Sequence, residues 1–176
     1  MKKRFEKLNP TIKHRLVYPK SAGELPANSY LVYILLFNKK PIVVGHGKKN
    51  RAKVIFDSKE KTTGHIKALH IRLHILFGGK KAVFKRCIIR CKSKEEAKKI
   101  EAEVHKCGGN DLGLPKGIET KLFDGIKEHS PAWVALKMAV CSAYGGILDL
   151  KRWRKKRILD NKTWEQIAEK LVFKSA

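Results

Sequence analysis

Residues 30 to 45, YLVYILLFNKKPIVVG, limit the fold more than any other stretch of this chain. YLVYILLF is a β-branched and aromatic run of strand length, NKKP supplies a turn, and IVVG is a second short strand, which together predict a β-hairpin. Side chains alternate across a strand, so Tyr33 shares a face with Leu31 and Leu35 while Tyr30 points the other way. A third strand is expected over residues 81 to 91, KAVFKRCIIRC, whose alternation suits one buried face. With the helices described next, these strands predict an α/β (α+β) fold. It is a small three-stranded, mostly antiparallel sheet flanked by helices, with a C-terminal helical extension.

Residues 48 to 57 suit a short helix or irregular turn. TTGHIKALHIRLHILFGG predicts a longer helix with Ile66, Leu69, Leu73 and Leu76 on one stripe and Gly78 as its stop. After the third strand, Ser93 and Glu96 form an S-x-x-E capping box, and Gly108 closes a helix of about four turns. At 100° per residue, Ala97, Ile100, Val104 and Glu101 fall on one side of that helix, whereas Glu95, Glu96 and Glu103 project elsewhere. A lone buried carboxylate is costly, so Glu101 calls for a cation, a metal or a hydrogen-bond donor beside it, unless it reaches solvent at the edge of the stripe.

A glycine-rich loop, GGNDLGLPKG, leads into a different kind of sequence. Ser130 and Pro131 can open the helix PAWVALKMAVCSAY, which is apolar almost all round and is stopped by Gly145 and Gly146. LDLKRWRKKRIL and TWEQIAEKLVF then form two short helices around a tight turn, a weak helix-turn-helix signal. The chain thus reads as three segments: a basic N-terminal arm over 1–29, a core over 30–117, and a basic helical region over 118–176.

Forty Lys and Arg against sixteen Asp and Glu give a formal charge of +24. Such a field concentrates polyanions, making nucleic acid the first partner to consider, while the 43% of hydrophobic residues is enough to build a core. In KRWRKKR, the residues Lys151, Arg152, Arg154, Lys155, Lys156 and Arg157 surround Trp153; phosphate contact is the expected use, with Trp153 anchoring the helix or stacking on a base. The longest apolar run, LVYILLF, is too short to span a bilayer, and MKKRFEKLNP lacks a signal-peptide core, so an intracellular protein, cytoplasmic or nucleoid-associated, is expected. Cys87, Cys91, Cys107 and Cys141 form no CxxC pair and suit reduced, buried thiols. A zinc set of Cys87, Cys91 and Cys107 with a histidine would match no standard spacing.

The second hairpin strand runs on into IVVGHGKKNR. It lacks the GxxxxGK[ST] spacing of a Walker loop and the third glycine of a dinucleotide fingerprint, so no nucleotide cofactor is expected. A hairpin, a GxG turn, an arginine and a carboxylate-bearing helix after a third strand together resemble the GIY-YIG nucleases. Leu31, Val32 and Tyr33 stand at the first name motif and Val43, Val44 and Gly45 at the second. PIVVGHGKKNR is similar to the branch reading close to P-x-Y-V-G-K-G-x-x-x-R, which puts Arg51 on the family arginine; EEAKKIE puts Glu101 on the family's metal-binding glutamate. The resemblance covers residues 30 to about 117. The tyrosine of the second motif is Val43 here, and the histidine that many members carry four residues after the arginine is Ile55.

The resemblance implies a metal-dependent DNA endonuclease of restriction or homing type. Glu101 would hold Mg²⁺ (or Mn²⁺), Arg51 would grip the scissile phosphate and Tyr33 would act as general base or proton relay. His46 stands where lysine is common in that branch. It either handles a proton in place of the missing tyrosine or contacts phosphate. Lys48 and Lys49 beside it would add to DNA binding. Two other readings stand alongside: a non-catalytic nucleic-acid-binding protein on a decayed nuclease scaffold, and an RNA-processing factor. His70 and His74, four apart on a predicted helix, are read as surface residues. The oligomeric state is left open, a dimer included.

Overall fold

The computed structural model describes residues 4–37, 39–57, 84–110, 120 and 123–144. The helix expected after residue 62, with His70 and His74, the basic run 151–157 and the two short C-terminal helices lie outside the described residues. The chain divides into two compact units, Met1–Lys61 with Val83–Asp111, and Thr62–Ala82 with Leu112–Ala176.

In the first unit the described α-helices and strands are α1 (Pro10–Lys13), β1 (Tyr30–Phe37), β2 (Lys40–Gly47), α2 (Lys49–Ala52), α3 (Val54–Asp57), β3 (Phe84–Cys91) and α4 (Lys94–Lys106). The strands form one sheet in the order β2-β1-β3, antiparallel at both seams. The architecture is therefore α+β, with the apolar run YLVYILLF as the central strand. Seven of its eight residues are buried, as expected for a strand paired on both edges and covered on both faces.

Register decides which residues meet the helix. Val32, Ile34 and Leu36 of β1, Val44 of β2, and Cys87, Ile89 and Cys91 of β3 share one core with Ala97, Ile100 and Val104 of α4 and with Cys107. Alternation sends Leu31, Tyr33 and Leu35 to the opposite face, where all three are fully buried. The hairpin register shifts once: Leu35 faces Val43 but Leu36 faces Pro41, leaving Ile42 as the extra residue of a β-bulge.

The basic segment before β1 adds apolar packing of its own. Phe5, Leu8 and Ile12 are buried in the core under α4. Val17 pairs with Ile88 through two backbone hydrogen bonds of 2.8 and 2.9 Å, covering part of the free edge of β3. Arg15 fastens the segment, donating from Nη1 to Glu96 Oε1 at 2.9 Å and from Nη2 to the Arg90 carbonyl at 2.5 Å.

The start of α4 follows the capping-box expectation with one change. Ser93 Oγ accepts the Glu96 N–H at 3.1 Å, but Glu96 reaches back to the Lys92 N–H instead of that of Ser93. Its carboxyl is held below the usual carboxylate range, first by the Lys92 N–H and then by Arg15. A carboxyl depressed in the folded state contributes stability above its unfolded-state pKa, and that contribution is lost as pH falls through the lower folded value. Glu96→Gln is accordingly expected to cost about 1 kcal/mol at neutral pH and almost nothing in acid, read as urea midpoints of the two proteins across pH. Equal costs at both pH values would contradict this account of Glu96. At the other end, Gly108 adopts a φ of 128°, which stops the helix where the sequence predicts.

In the second unit, α5 (Pro131–Tyr144) begins as expected, with Ser130 Oγ accepting the Trp133 N–H at 3.2 Å. Lys137 is buried, its ammonium 4.1 Å from the Trp133 ring centroid and 5.6 Å from that of Phe123. Among the described residues no helix is long and apolar enough to cross a membrane.

Candidate active site

Two candidates chosen from separate motifs meet. His46, near the exit of β2, stands opposite Val32, so its side chain leaves on the face that α4 covers. Glu101 lies beside Ile100 and one turn before Val104, both of which are buried against that face. His46 Nδ1 is 2.6 Å from Glu101 Oε2, with the two side chains 23% and 21% exposed. The stripe carboxylate thus has its partner across 55 residues of sequence, supplied by an imidazole. One turn further along α4, His105 Nε2 lies 3.8 Å from Glu101 Oε1.

Tyr33 and Arg51 start from the opposite side of the sheet. Tyr33 faces Gly45 on β2 and Ile88 on β3, and none of its surface is exposed. Arg51 sits on the single turn α2, just after β2, and is exposed. Its stem runs so close to Gly47 that a Cβ on that glycine would come within 2.9 Å of Arg51 Cβ and Cδ. Gly47 faces Leu31, placing it on the Tyr33 side of the sheet. The exit of β2 therefore presents His46 towards α4 and Gly47 towards Arg51. The next turn, α3, is tied to β3, its Ile55 carbonyl accepting Arg86 Nε at 2.6 Å.

Lys48 and Lys49 are engaged with their own chain. The Lys48 ammonium lies 5.6 Å from the centroid of the Tyr30 ring, and Lys49 Nζ is 3.4 Å from the Gly23 carbonyl. Val43 and Ile55, at the positions where the resembled family carries tyrosine and histidine, are both fully buried. Lys151, Arg152, Trp153, Arg154, Lys155, Lys156 and Arg157 lie outside the described residues.

Two residues that sequence reasoning passed over border the site. Asn110 Oδ1 accepts the Val44 N–H at 2.9 Å, tying the loop after α4 to the edge strand β2. His105 could have been found from its spacing, since positions four apart lie on one helix face. Its ring rests against Gly109, where a Cβ would fall 2.2 Å from His105 Nδ1.

The donor chemistry suits a hard cation at one carboxylate. Among the described residues no three His, Cys, Asp or Glu side chains are grouped as an all-protein metal centre requires. Mg²⁺ does not require such a group, because it keeps several waters and takes one or two carboxylates. Cys87, Cys91 and Cys107 offer no zinc set, being packed in the core, with burial pushing the Cys87 thiol up to about 12. Comparison with protein families, with characterised proteins and with solved structures finds no match to this chain.

Proposed function

We propose that this protein is a metal-dependent DNA endonuclease of the GIY-YIG type, with His46 and Glu101 as its working pair. The observation that carries the reading is the 2.6 Å contact between His46 and Glu101. Each residue was a candidate on its own motif, and neither motif specifies the other's position. The charge of +24 supports a polyanionic substrate.

Hydrolysis of a phosphodiester needs a water that can lose a proton and a counter to the charge growing on the phosphoryl oxygens. Glu101 would hold Mg²⁺ or Mn²⁺ through Oε1, and the ion when bound supplies Lewis-acid neutralisation of that charge. Oε2 fixes the His46 ring through Nδ1, which leaves Nε2 as the atom that takes the proton from water. Arg51 grips a phosphate oxygen with its planar fork, its stem lying over the side-chain-free backbone of Gly47. Proton transfer is assigned to His46 and not to Tyr33, whose hydroxyl is buried on the other face. Tyr33→Phe is therefore expected to cut within about threefold of the wild-type rate, whereas losing a working general base costs about 10²–10⁴-fold. A loss of that size in Tyr33→Phe would return the proton-handling role to the tyrosine.

A second reading, nucleic-acid binding on a decayed nuclease scaffold, is favoured by the core positions of Val43 and Ile55. It predicts tight binding and no cutting. Substrate class is tested by competing duplex DNA against structured RNA at matched salt while following cleavage of both. We expect duplex DNA to be preferred and cut. Cutting confined to structured RNA would make the protein an RNA-processing factor. Site-specific cleavage of restriction or homing type belongs to the same proposal and would appear as discrete fragments from a long duplex.

A further inference from the structure

We infer that His105 is a second protein ligand to the ion at Glu101, making this a mixed carboxylate and imidazole site that prefers Mn²⁺ to Mg²⁺. The inference rests on the reading of Glu101 as a metal ligand and assigns a role to a residue which that reading leaves unused.

Glu101 and His105 are four apart on α4, so both project from one face of a regular helix, a spacing that suits paired ligands. The two oxygens of the carboxylate are divided. Oε2 is held by His46 Nδ1 at 2.6 Å, while Oε1 faces His105 Nε2 at 3.8 Å. A separation of 3.8 Å is too long for a hydrogen bond. Ligand bonds of about 2.0–2.2 Å to a divalent ion set an oxygen and a nitrogen about 3–3.5 Å apart in tetrahedral or octahedral geometry. A movement of roughly half an ångström would then let one ion bridge Oε1 and Nε2.

The surroundings of both ligands fit that use. His46 stands in the hydrogen-bonding position that orients a ligating carboxylate. Gly109 seats the His105 ring: a Cβ there would come 2.2 Å from Nδ1 and 2.9 Å from Cε1, so this edge of the imidazole lies on bare backbone while Nε2 is turned to Glu101. With 39% of its side chain exposed, His105 is open to an ion arriving from solvent. Imidazole favours transition ions, whereas Mg²⁺ prefers oxygen ligands and keeps its waters. Mn²⁺ would use both side chains and Mg²⁺ would use Glu101 alone.

The test is Mn²⁺ binding to the full chain without DNA, read from loss of the free-ion signal in electron paramagnetic resonance, with Mg²⁺ as competitor. His105→Gln is expected to weaken Mn²⁺ binding by at least the roughly 10–100-fold seen when an outer partner of a metal ligand is lost, and to change Mg²⁺ binding far less. Because a variant could misfold, the wild-type protein supplies a second measurement: Mg²⁺ should displace bound Mn²⁺ only when present in large excess. Equal Mn²⁺ affinity in wild type and His105→Gln, or Mg²⁺ that displaces Mn²⁺ at equal concentration, would overturn the inference. A wild-type protein that binds no Mn²⁺ would overturn it together with the metal role of Glu101. Mn²⁺ binding that needs both residues in a protein that leaves DNA intact would sustain the inference and sink the nuclease. Mn²⁺-dependent cutting that His105→Gln leaves untouched would do the reverse.

Discussion

Glu101→Ala should lose about a thousandfold or more in DNA cleavage, the scale of the several kcal/mol that a Lewis acid contributes at a phosphoryl centre. DNA affinity should stay within a few-fold of wild type, because the proposed binding would draw on the +24 charge of the whole chain and not on one carboxylate. The substitution is mild for the fold. Glu101 is not one of the apolar residues that make up the core under α4, and alanine is the best helix former. Cleavage rate and fluorescence anisotropy on the same samples check both halves. If cutting and binding fall together, the variant has lost more than a ligand. If neither falls, Glu101 is only a stripe residue with a histidine partner.

His46→Ala carries the second large effect. Removing a positioned proton acceptor costs about 10²–10⁴-fold in rate, and the same substitution frees the Glu101 carboxylate from the 2.6 Å contact that orients it. The two roles give a signature that a bystander would not. Residues working as a unit are strongly non-additive, so His46→Ala in the Glu101→Ala background should cost little more than Glu101→Ala alone. A full further drop in the double variant would mean that the two side chains act independently, and that the contact between them is incidental to catalysis.

How much of this could be read in advance depends on how local each signal is. The hairpin, the third strand and α4 with its cap all follow from short windows of sequence, because alternation, turn residues and S-x-x-E are local signals. Glu101 was identifiable as an anomaly for the same reason, since a helix stripe needs only its own residues. Its partner was not. Which face His46 takes depends on the register of β2 against β1, and NKKP leaves that register open, with the bulge at Ile42 resetting it partway along the strand. The separation of Tyr33 from Glu101 has the same origin. Alternation placed Tyr33 with Leu31 and Leu35, but which face α4 would cover is tertiary information. The segment before β1 misled for a different reason. Its prolines and lysines suggest a surface arm, while Phe5, Leu8 and Ile12, three apolar positions among them, hold it in the core.

The most direct test is incubation of the wild-type protein with supercoiled plasmid in EDTA, in Mg²⁺ and in Mn²⁺. A closed circle has no ends, so any nicked or linear product requires an endonuclease. Intact plasmid in EDTA and nicked or linear DNA with either ion is the predicted result. Plasmid that stays supercoiled with every divalent ion tested, while the protein binds it, would contradict the account.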